Sequence, residues 1–531
     1  MNGSPSHEVP AVNKWVVAGS VGIGAIMGTI DTSIVNVALP HIRGSVGATI
    51  EEITWVSTAY MIAMVVVMPL TGFLGSLFGQ KQVYMASLLL FIVGSALCGT
   101  AHTLVGLVAC RALQGLGAGS LQPTQQAILR QTFPLREQGM AMAVFGVVVM
   151  VGPAIGPTLG GWITDNYSWQ WIFFINIPIG ILGLMMVLEF VHEPADIRHA
   201  NRLRAEAQKG KVDWIGIALI AVGISALQYL LEEGQSKDWF QSGAIRACFA
   251  VACVFLIAFV IREITAPAPA VNLRLFLDRT FAVSTAIGGV MFALLMGSMF
   301  LLPLFMQELL GYDAMQSGIA LLPRSLVMMM FMPIVGRLYD RVQPAILVGV
   351  GVILFLVGSV QLSHVTLVTS FGDIVVPMIV SGVGFACLFA PLTTAALSTM
   401  PRSHLADAAG LNSFVRQIGG SIGLTVSASL LTRYSTVARA GIATHVTLLR
   451  PEVAGRLAQM RGMATGLVGP TAAARAVLGI LTGKVYAQAA VLAFEKVFLV
   501  QGVAFLVILP ALWFLRVPRG HDHDGPVAST E

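Results

Sequence analysis

Long apolar stretches recur from one end of the chain to the other, and no other feature restricts the fold as strongly. A helix needs ~20 mostly apolar residues to cross the hydrocarbon core of a bilayer. Roughly fourteen such stretches follow one another. They lie near residues 15–38, 53–74, 83–101, 104–127, 140–161, 172–191, 213–231, 246–263, 281–305, 317–336, 345–363, 373–398, 408–431 and 491–515. Backbone polar groups inside lipid must be paired within the protein, which leaves helices or a closed barrel. These runs are too long and too uniformly apolar for barrel strands. The sequence therefore predicts an all-α polytopic membrane protein. Of the 531 residues 56% are apolar and only 11% are charged, against about 25% charged in a soluble chain. So few charges cannot cover a water-facing surface.

The first stretch does not read as a cleaved signal. A single Lys (Lys14) precedes it, it is longer than an h-region, and it runs on through Asp31 to Pro40 without a small-x-small cleavage site. The five cysteines (Cys98, Cys110, Cys248, Cys253 and Cys387) all fall inside apolar stretches with no CxxC or ligand spacing. Neither a disulfide framework nor a zinc site is supported. With an interior N-terminus, the interior loops carry Lys81, Arg130, Arg136, Arg198, Arg202, Arg204, Lys209, Lys211, Arg262, Arg274, Arg279, Arg337, Arg341 and Arg402. The short exterior loops carry only Arg43, Lys237 and the borderline Arg246. This bias predicts that both termini are cytoplasmic. It also accounts for most of the net charge of +5, so no nucleic-acid partner is expected.

The two ends of the chain echo each other at an offset of about 265 residues, the internal symmetry of transporters. Gly72-Phe73-Leu74 follows the second stretch and Gly336-Arg337-Leu338 follows the tenth, both as tight interior turns. Gln114 to Gly119 with Pro123 in the fourth stretch matches Ser381 to Ala386 with Pro391 in the twelfth. Gly152 and Gly156 in the fifth match Gly419, Gly420 and Gly423 in the thirteenth. The layout expected is a six-helix bundle (1–191), a basic interior linker (192–212), an inserted helix pair (213–265) and an interior linker (266–280). A second six-helix bundle (281–516) follows, with a long exterior loop near 432–490, and then a cytoplasmic tail (517–531). Substrate would sit between the bundles near the midplane.

Several motifs, in order, resemble the major facilitator superfamily, and within it the fourteen-helix drug:proton antiporters of the EmrB-type branch. Asp31-Thr32-Ser33-Ile34-Val35-Asn36-Val37-Ala38-Leu39-Pro40 is similar to the first-helix signature of that family. Arg111 through Gly119 is similar to its fourth-helix motif, and Gly152-Pro153-Ala154-Ile155-Gly156-Pro157-Thr158-Leu159-Gly160-Gly161 to its fifth-helix antiporter motif. Trp169 to Gly180, Asp213 to Trp239 and Leu302 to Glu308 extend the likeness over nearly the whole chain. The resemblance implies a proton-coupled exporter of lipophilic or amphipathic drugs in a bacterial inner membrane, with no cofactor and no enzymatic activity. It also implies a periplasmic adaptor and an outer-membrane channel as partners, with the 432–490 segment either meeting the adaptor or meeting nothing. One departure stands out. The first Gly-x-Leu motif of the family carries Asp and Arg, where this chain has Ser76 and Leu77; the second copy keeps Asp340 and Arg341.

Asp31 is the sharpest candidate for coupling. It lies well inside the first apolar stretch, where a carboxylate costs on the order of 2.5–3.5 kcal/mol on insertion scales. A carboxylate there can hold a proton or a cationic substrate; the plainer alternative is a helix–helix hydrogen bond. Arg111 is the expected counter-charge or relay partner, unless it snorkels to the headgroups. Glu308 is a second candidate carboxylate, or else a solvated helix end. Asn36, Gln114, Gln307, Arg324, Asn412 and Arg416 are expected to line the cavity, although Arg416 would also suit a snorkelling helix end. Gly152, Pro153, Gly156, Pro157 and Gly160 present small residues at i, i+4 and i+8 for close helix contact, with prolines that bend the helix. They read as a seal and hinge or as close packing alone. Gly72, Gly79, Lys81, Gly336, Asp340 and Arg341 are the expected gating loops.

Other readings fare worse. Gly115-x-Gly117-x-Gly119 lies inside an apolar stretch with no preceding strand, so it is not a dinucleotide loop. No GxxxxGK[ST] sequence supports ATP-driven transport. His521-Asp522-His523-Asp524 reads as a tail rather than a metal site. An importer of the same superfamily is the nearest rival; a membrane-embedded sensor or enzyme lacks the clustered groups it would need.

Overall fold

The computed structural model describes residues 13–208, 212–339, 341–447, 449–468 and 470–514. Asp340, Lys209, Lys211 and the His521–Asp524 run lie outside the described residues. Every regular element among the described residues is a helix. The first six are α1 (Lys14–Val46), α2 (Glu51–Phe78), α3 (Gln80–Thr100), α4 (Leu104–Thr132), α5 (Gln138–Asn166) and α6 (Trp171–Phe190). The linker forms α7 (Ala195–Gln208). The inserted pair is α8 (Trp214–Glu233) and α9 (Gly243–Thr265). Then come α10 (Arg279–Glu308), α11 (Ala314–Tyr339), α12 (Pro344–Leu362), α13 (Phe371–Ser398), α14 (Leu405–His445), α15 (Pro451–Val468) and α16 (Pro470–Ala504).

Thirteen of these helices are long and apolar enough to cross a membrane. The remaining expected span, near 408–431, is the middle of α14. This helix buries a row of polar side chains, Asn412, Ser413, Arg416, Ser421, Thr425 and Ser427. Lipid is not its main neighbour, because it packs against α10, α16 and α4. The peripheral helices show the reverse. Only 17% of the apolar window of α9 is buried, and Val254, Ile257 and Ile261 face outward as a lipid-facing stripe would.

Helices α1 to α6 pack together, as do α10 to α14 with α16. The two halves meet along two seams, α5 against α11 and α2 with α4 against α14. Inserted α8 lies across the second seam. Its Gln228 donates to Ser421 Oγ (2.9 Å), while Glu233 accepts from Thr54 Oγ1 (3.1 Å) and Tyr229 stacks on Trp55. Lys14 pairs with Glu137, Trp15 packs on Phe133, Gly139 meets Gly336, Arg130 bonds the carbonyl of Leu397, Thr399 bonds Asp278 and Arg279 lies over the Phe514 ring, a run of contacts at one end of the bundle, here the Lys14 face. Both ends of the described chain therefore lie on that face.

The segment near 432–490 differs from expectation. Expected as a long exterior loop, it is mostly helical among the described residues. Helix α14 runs on to His445, α15 follows, and α16 carries 472–489 straight into the last span. The segment is rich in Ala, a strong helix former. At 41 residues, α14 is about 60 Å long, so it projects well beyond a ~30 Å hydrocarbon core.

Candidate functional site

Asp31 sits mid-way along α1 with 1% of its surface exposed, and Arg111 on α4 is equally buried. Arg111 Nη1 donates to Asp31 Oδ2 at 2.6 Å and to Gln114 Oε1 at 2.7 Å. Arg111 Nε donates to the carbonyl of Val56 at 3.1 Å, and the guanidinium lies 4.1 Å from the Tyr60 ring centroid. The other carboxylate oxygen, Oδ1, accepts from Gln114 Nε2 (2.8 Å) and Asn176 Nδ2 (3.1 Å). Asn176 Nδ2 also lies 3.0 Å from Ser95 Oγ, which donates to the carbonyl of Phe173. The network thus draws on α1, α2, α3, α4 and α6, all in the first half. Arg111 does not snorkel. Gln114, expected as a cavity liner, bonds to both members of the ion pair.

The fifth-helix glycines flank this site. A Cβ at Gly152 would fall 2.6 Å from Thr29 Cβ, one at Gly156 would strike Ser33, and one at Gly160 would fall 3.2 Å from Ile34 Cα. Three glycines one turn apart thus let α5 lie against α1 on both sides of Asp31. Pro157 points the other way, toward Gly318 of α11 in the second half.

At the Lys14 face the two seams close in matching fashion. Gly72 at the foot of α2 meets the first turn of α14, where a Cβ would fall 2.6 Å from the backbone nitrogen of Asp407. Gly336 at the foot of α11 meets α5, where a Cβ would fall 2.7 Å from the carbonyl oxygen of Gly139. In each half the second helix thus touches the fifth helix of the other half.

A family model described as Major Facilitator Superfamily matches residues 21–424. The chain belongs to the major facilitator superfamily. It is 34% identical over 511 residues to the "Fatty acid resistance protein FarB" of Neisseria gonorrhoeae, covering 96% of this chain and 97% of that one. It is 31% identical over 507 residues to the "Multidrug export protein EmrB" of Escherichia coli K12, covering 95% and 96%. Among solved structures it matches the proton:xylose symporter XylE with a TM-score of 0.61 at 11% identity, over 95% of this chain and 96% of that one. It also matches human MFSD10 with a TM-score of 0.57 at 13% identity, over 93% and 99%. The last two likenesses concern the fold. The chain is a membrane transporter of this superfamily and not an enzyme.

Within this major facilitator chain the other expected residues separate into groups. Gly79 takes φ 88°, and Lys81 donates to the carbonyl of Leu188 at 2.7 Å; both serve the first half's own packing rather than a seam. Ser76, in place of the family's acid, donates to the carbonyl of Phe73 in its own helix. The charge pairing across that seam is instead made by linker helix α7. Its Arg204 reaches Asp407 Oδ2 at 3.1 Å and the carbonyl of Ser403 at 3.0 Å, and His404 Nδ1 lies 3.0 Å from the same carboxylate. Arg130 adds a bond to the carbonyl of Leu397. Arg341 is exposed, and so are Gln307 and Glu308 at the far end of α10, apart from the Asp31 network. Asn36 is exposed and accepts from Ser57 Oγ at 3.1 Å. Arg324, Asn412 and Arg416 are buried in the second half; Arg416 does not snorkel.

Asn176, Ser95, Arg204 and Asp407 were not singled out by sequence reasoning. Asn176 stood inside a family motif (Trp169 to Gly180), which was the one available signal. Nothing local marks Ser95 or the Arg204–Asp407 pairing.

Proposed function

We propose that this transporter is a proton-coupled exporter of lipophilic or amphipathic compounds, in which Asp31 is the group that takes and releases the coupling proton. The observation that carries the reading is the Asp31–Arg111 pair, a carboxylate and a guanidinium each 1% exposed in the middle of a membrane bundle. Ionisable groups at that depth are costly and mark proton or ion pathways. Both oxygens of Asp31 are occupied by donors. A cationic substrate would have to displace Arg111 to reach them, whereas a proton need only add to one oxygen. The geometry therefore favours Asp31 as the proton's site rather than a site shared with substrate.

Protonation would cancel one charge of the pair and loosen a network that joins five helices of the first half. Helix α1 passes the change to α5 through the Thr29–Gly152 and Ser33–Gly156 contacts, and α5 borders α11 across the seam. A proton moving down 100 mV supplies about 2.3 kcal/mol, enough to drive uphill export. The relatives named for multidrug export and fatty acid resistance support export rather than import. The Lys/Arg bias of the Lys14 face supports a cytoplasmic placement of that face and of both termini, in a bacterial inner membrane. The projecting helices α14, α15 and α16 on the opposite side offer the surface for a periplasmic adaptor leading to an outer-membrane channel.

Everted membrane vesicles test the direction. Energised vesicles holding the protein should accumulate a lipophilic fluorescent dye, and an uncoupler should release it. Energy-dependent loss of preloaded dye would identify an importer.

A further inference from the structure

Two buried guanidinium groups in the second half have no counter-ion among the described residues. Arg324 (α11) is 1% exposed and Arg416 (α14) is 5% exposed. Arg324 makes one hydrogen bond, from Nη2 to Ser298 Oγ at 3.1 Å, and its Nε and Nη1 are unpartnered. Arg416 makes one long bond, from Nη1 to Thr393 Oγ1 at 3.4 Å, and its Nε is unpartnered. Neither has a carboxylate within ion-pair distance among the described residues. The sequence explains why. The spans of α10 to α14 carry acids only near their ends, at Glu308, Asp373 and Asp407. Asp31, the one mid-membrane acid of the first half, is committed to Arg111.

A buried charge with no partner costs several kcal/mol, and this chain bears that cost twice in one half. Aromatic faces offset part of it. Arg324 lies 5.0 Å from the Phe385 ring centroid; Arg416 lies 4.2 Å from Phe389, 4.7 Å from Phe292 and 5.9 Å from Phe145. Rings, however, leave the N–H donors unmet. Their contacts on α13, Phe385 for Arg324 and Phe389 and Thr393 for Arg416, lie one to two turns apart, roughly 6–12 Å along the helix axis. Phe145 belongs to α5 of the first half and stacks on Phe389 across the seam. Arg416 therefore sits where the halves meet. One turn away, Asn412 Nδ2 is a further buried donor without an acceptor. The spare groups of Arg324, Arg416 and Asn412 are all donors. What completes them is an acceptor, and a carboxylate fits the guanidinium fork best.

We propose that Arg324 and Arg416 form an acid-binding site for transported substrate, which takes amphipathic organic acids with the carboxylate on the guanidinium groups and the apolar body against Phe145, Phe292 and Phe389. This rests on the exporter reading only for placing the site on a transport path; binding is measured separately. The test uses the full-length protein in lipid nanodiscs with three probes that share one ring system: 1-naphthoate, its methyl ester and 1-naphthylmethylamine. Wild type should bind naphthoate saturably and more tightly than the amine. Arg324→Gln and Arg416→Gln should each weaken naphthoate by roughly thirtyfold or more while changing the ester by less than about threefold. Arg416→Lys should recover part of the loss. Tighter binding of the amine, no saturable naphthoate binding, or equal loss of acid and ester would overturn the proposal, the last by reducing the arginines to packing. Naphthoate bound but no solute transported would leave the site standing and sink the exporter. Dye export with no naphthoate binding would do the reverse.

Discussion

Arg111 holds Asp31 at 2.6 Å in a pair buried on every side, and the same guanidinium also holds the carbonyl of Val56 on α2. The pair therefore ties three helices at once. Removing one member strands the other in a low-dielectric site, a loss on the order of 3–5 kcal/mol. Arg111→Gln and Asp31→Asn should each lower the melting temperature of the purified protein. The double variant should melt well above the value their sum predicts, with a coupling of about 2 kcal/mol or more. Additive losses would mean the pair contributes no more than its separate contacts.

The Gly156–Ser33 approach leaves no room for a side chain, whereas Gly161, one residue past the motif glycine Gly160, has nothing within 4 Å of its missing Cβ. Gly156→Ala should cost about 1–3 kcal/mol, read by thermal melting, and should slow transport. Gly161→Ala should be close to neutral. Equal behaviour of the two would show that α1 and α5 are free to separate there.

The Arg204–Asp407 pair replaces, from a different element, the loop charge that Ser76 lacks. Arg204→Gln and Asp407→Asn should both loosen closure at the Lys14 face. Spin labels at the exposed positions Arg136 and Arg341, on either side of the α5–α11 seam, should report a longer-distance population in each variant. Ser76→Ala should leave the distribution unchanged. An unaltered distribution in the Arg204 and Asp407 variants would show that other contacts hold this face shut.

Much of this architecture is legible in the sequence because lipid enforces it: apolar runs of span length have to be helices, and mid-run charges such as Asp31 and Arg111 announce themselves by their cost. The Gly-x-Leu repeats likewise mark both seams. Partners supplied by tertiary packing are less visible. Asn176 and Ser95 are unremarked polar residues until folding aims them at Asp31, and the sequence marks Arg324 and Arg416 only as rare cations. That they lack counter-ions depends on where every acid ends up. The segment near 432–490 reads as a loop because apolarity weakens there, but a helix does not stop where the bilayer does. The Gly336 motif's Asp340 stays outside the described residues.

The central claim is that Asp31 carries the coupling proton. In proteoliposomes two rates can be compared for one substrate: accumulation driven by an imposed pH gradient, and exchange of labelled for unlabelled substrate with no gradient. Asp31→Asn should keep exchange and lose gradient-driven accumulation. If the variant still accumulates substrate at the wild-type level when the gradient is applied, Asp31 is a structural partner of Arg111 and the coupling proton resides elsewhere.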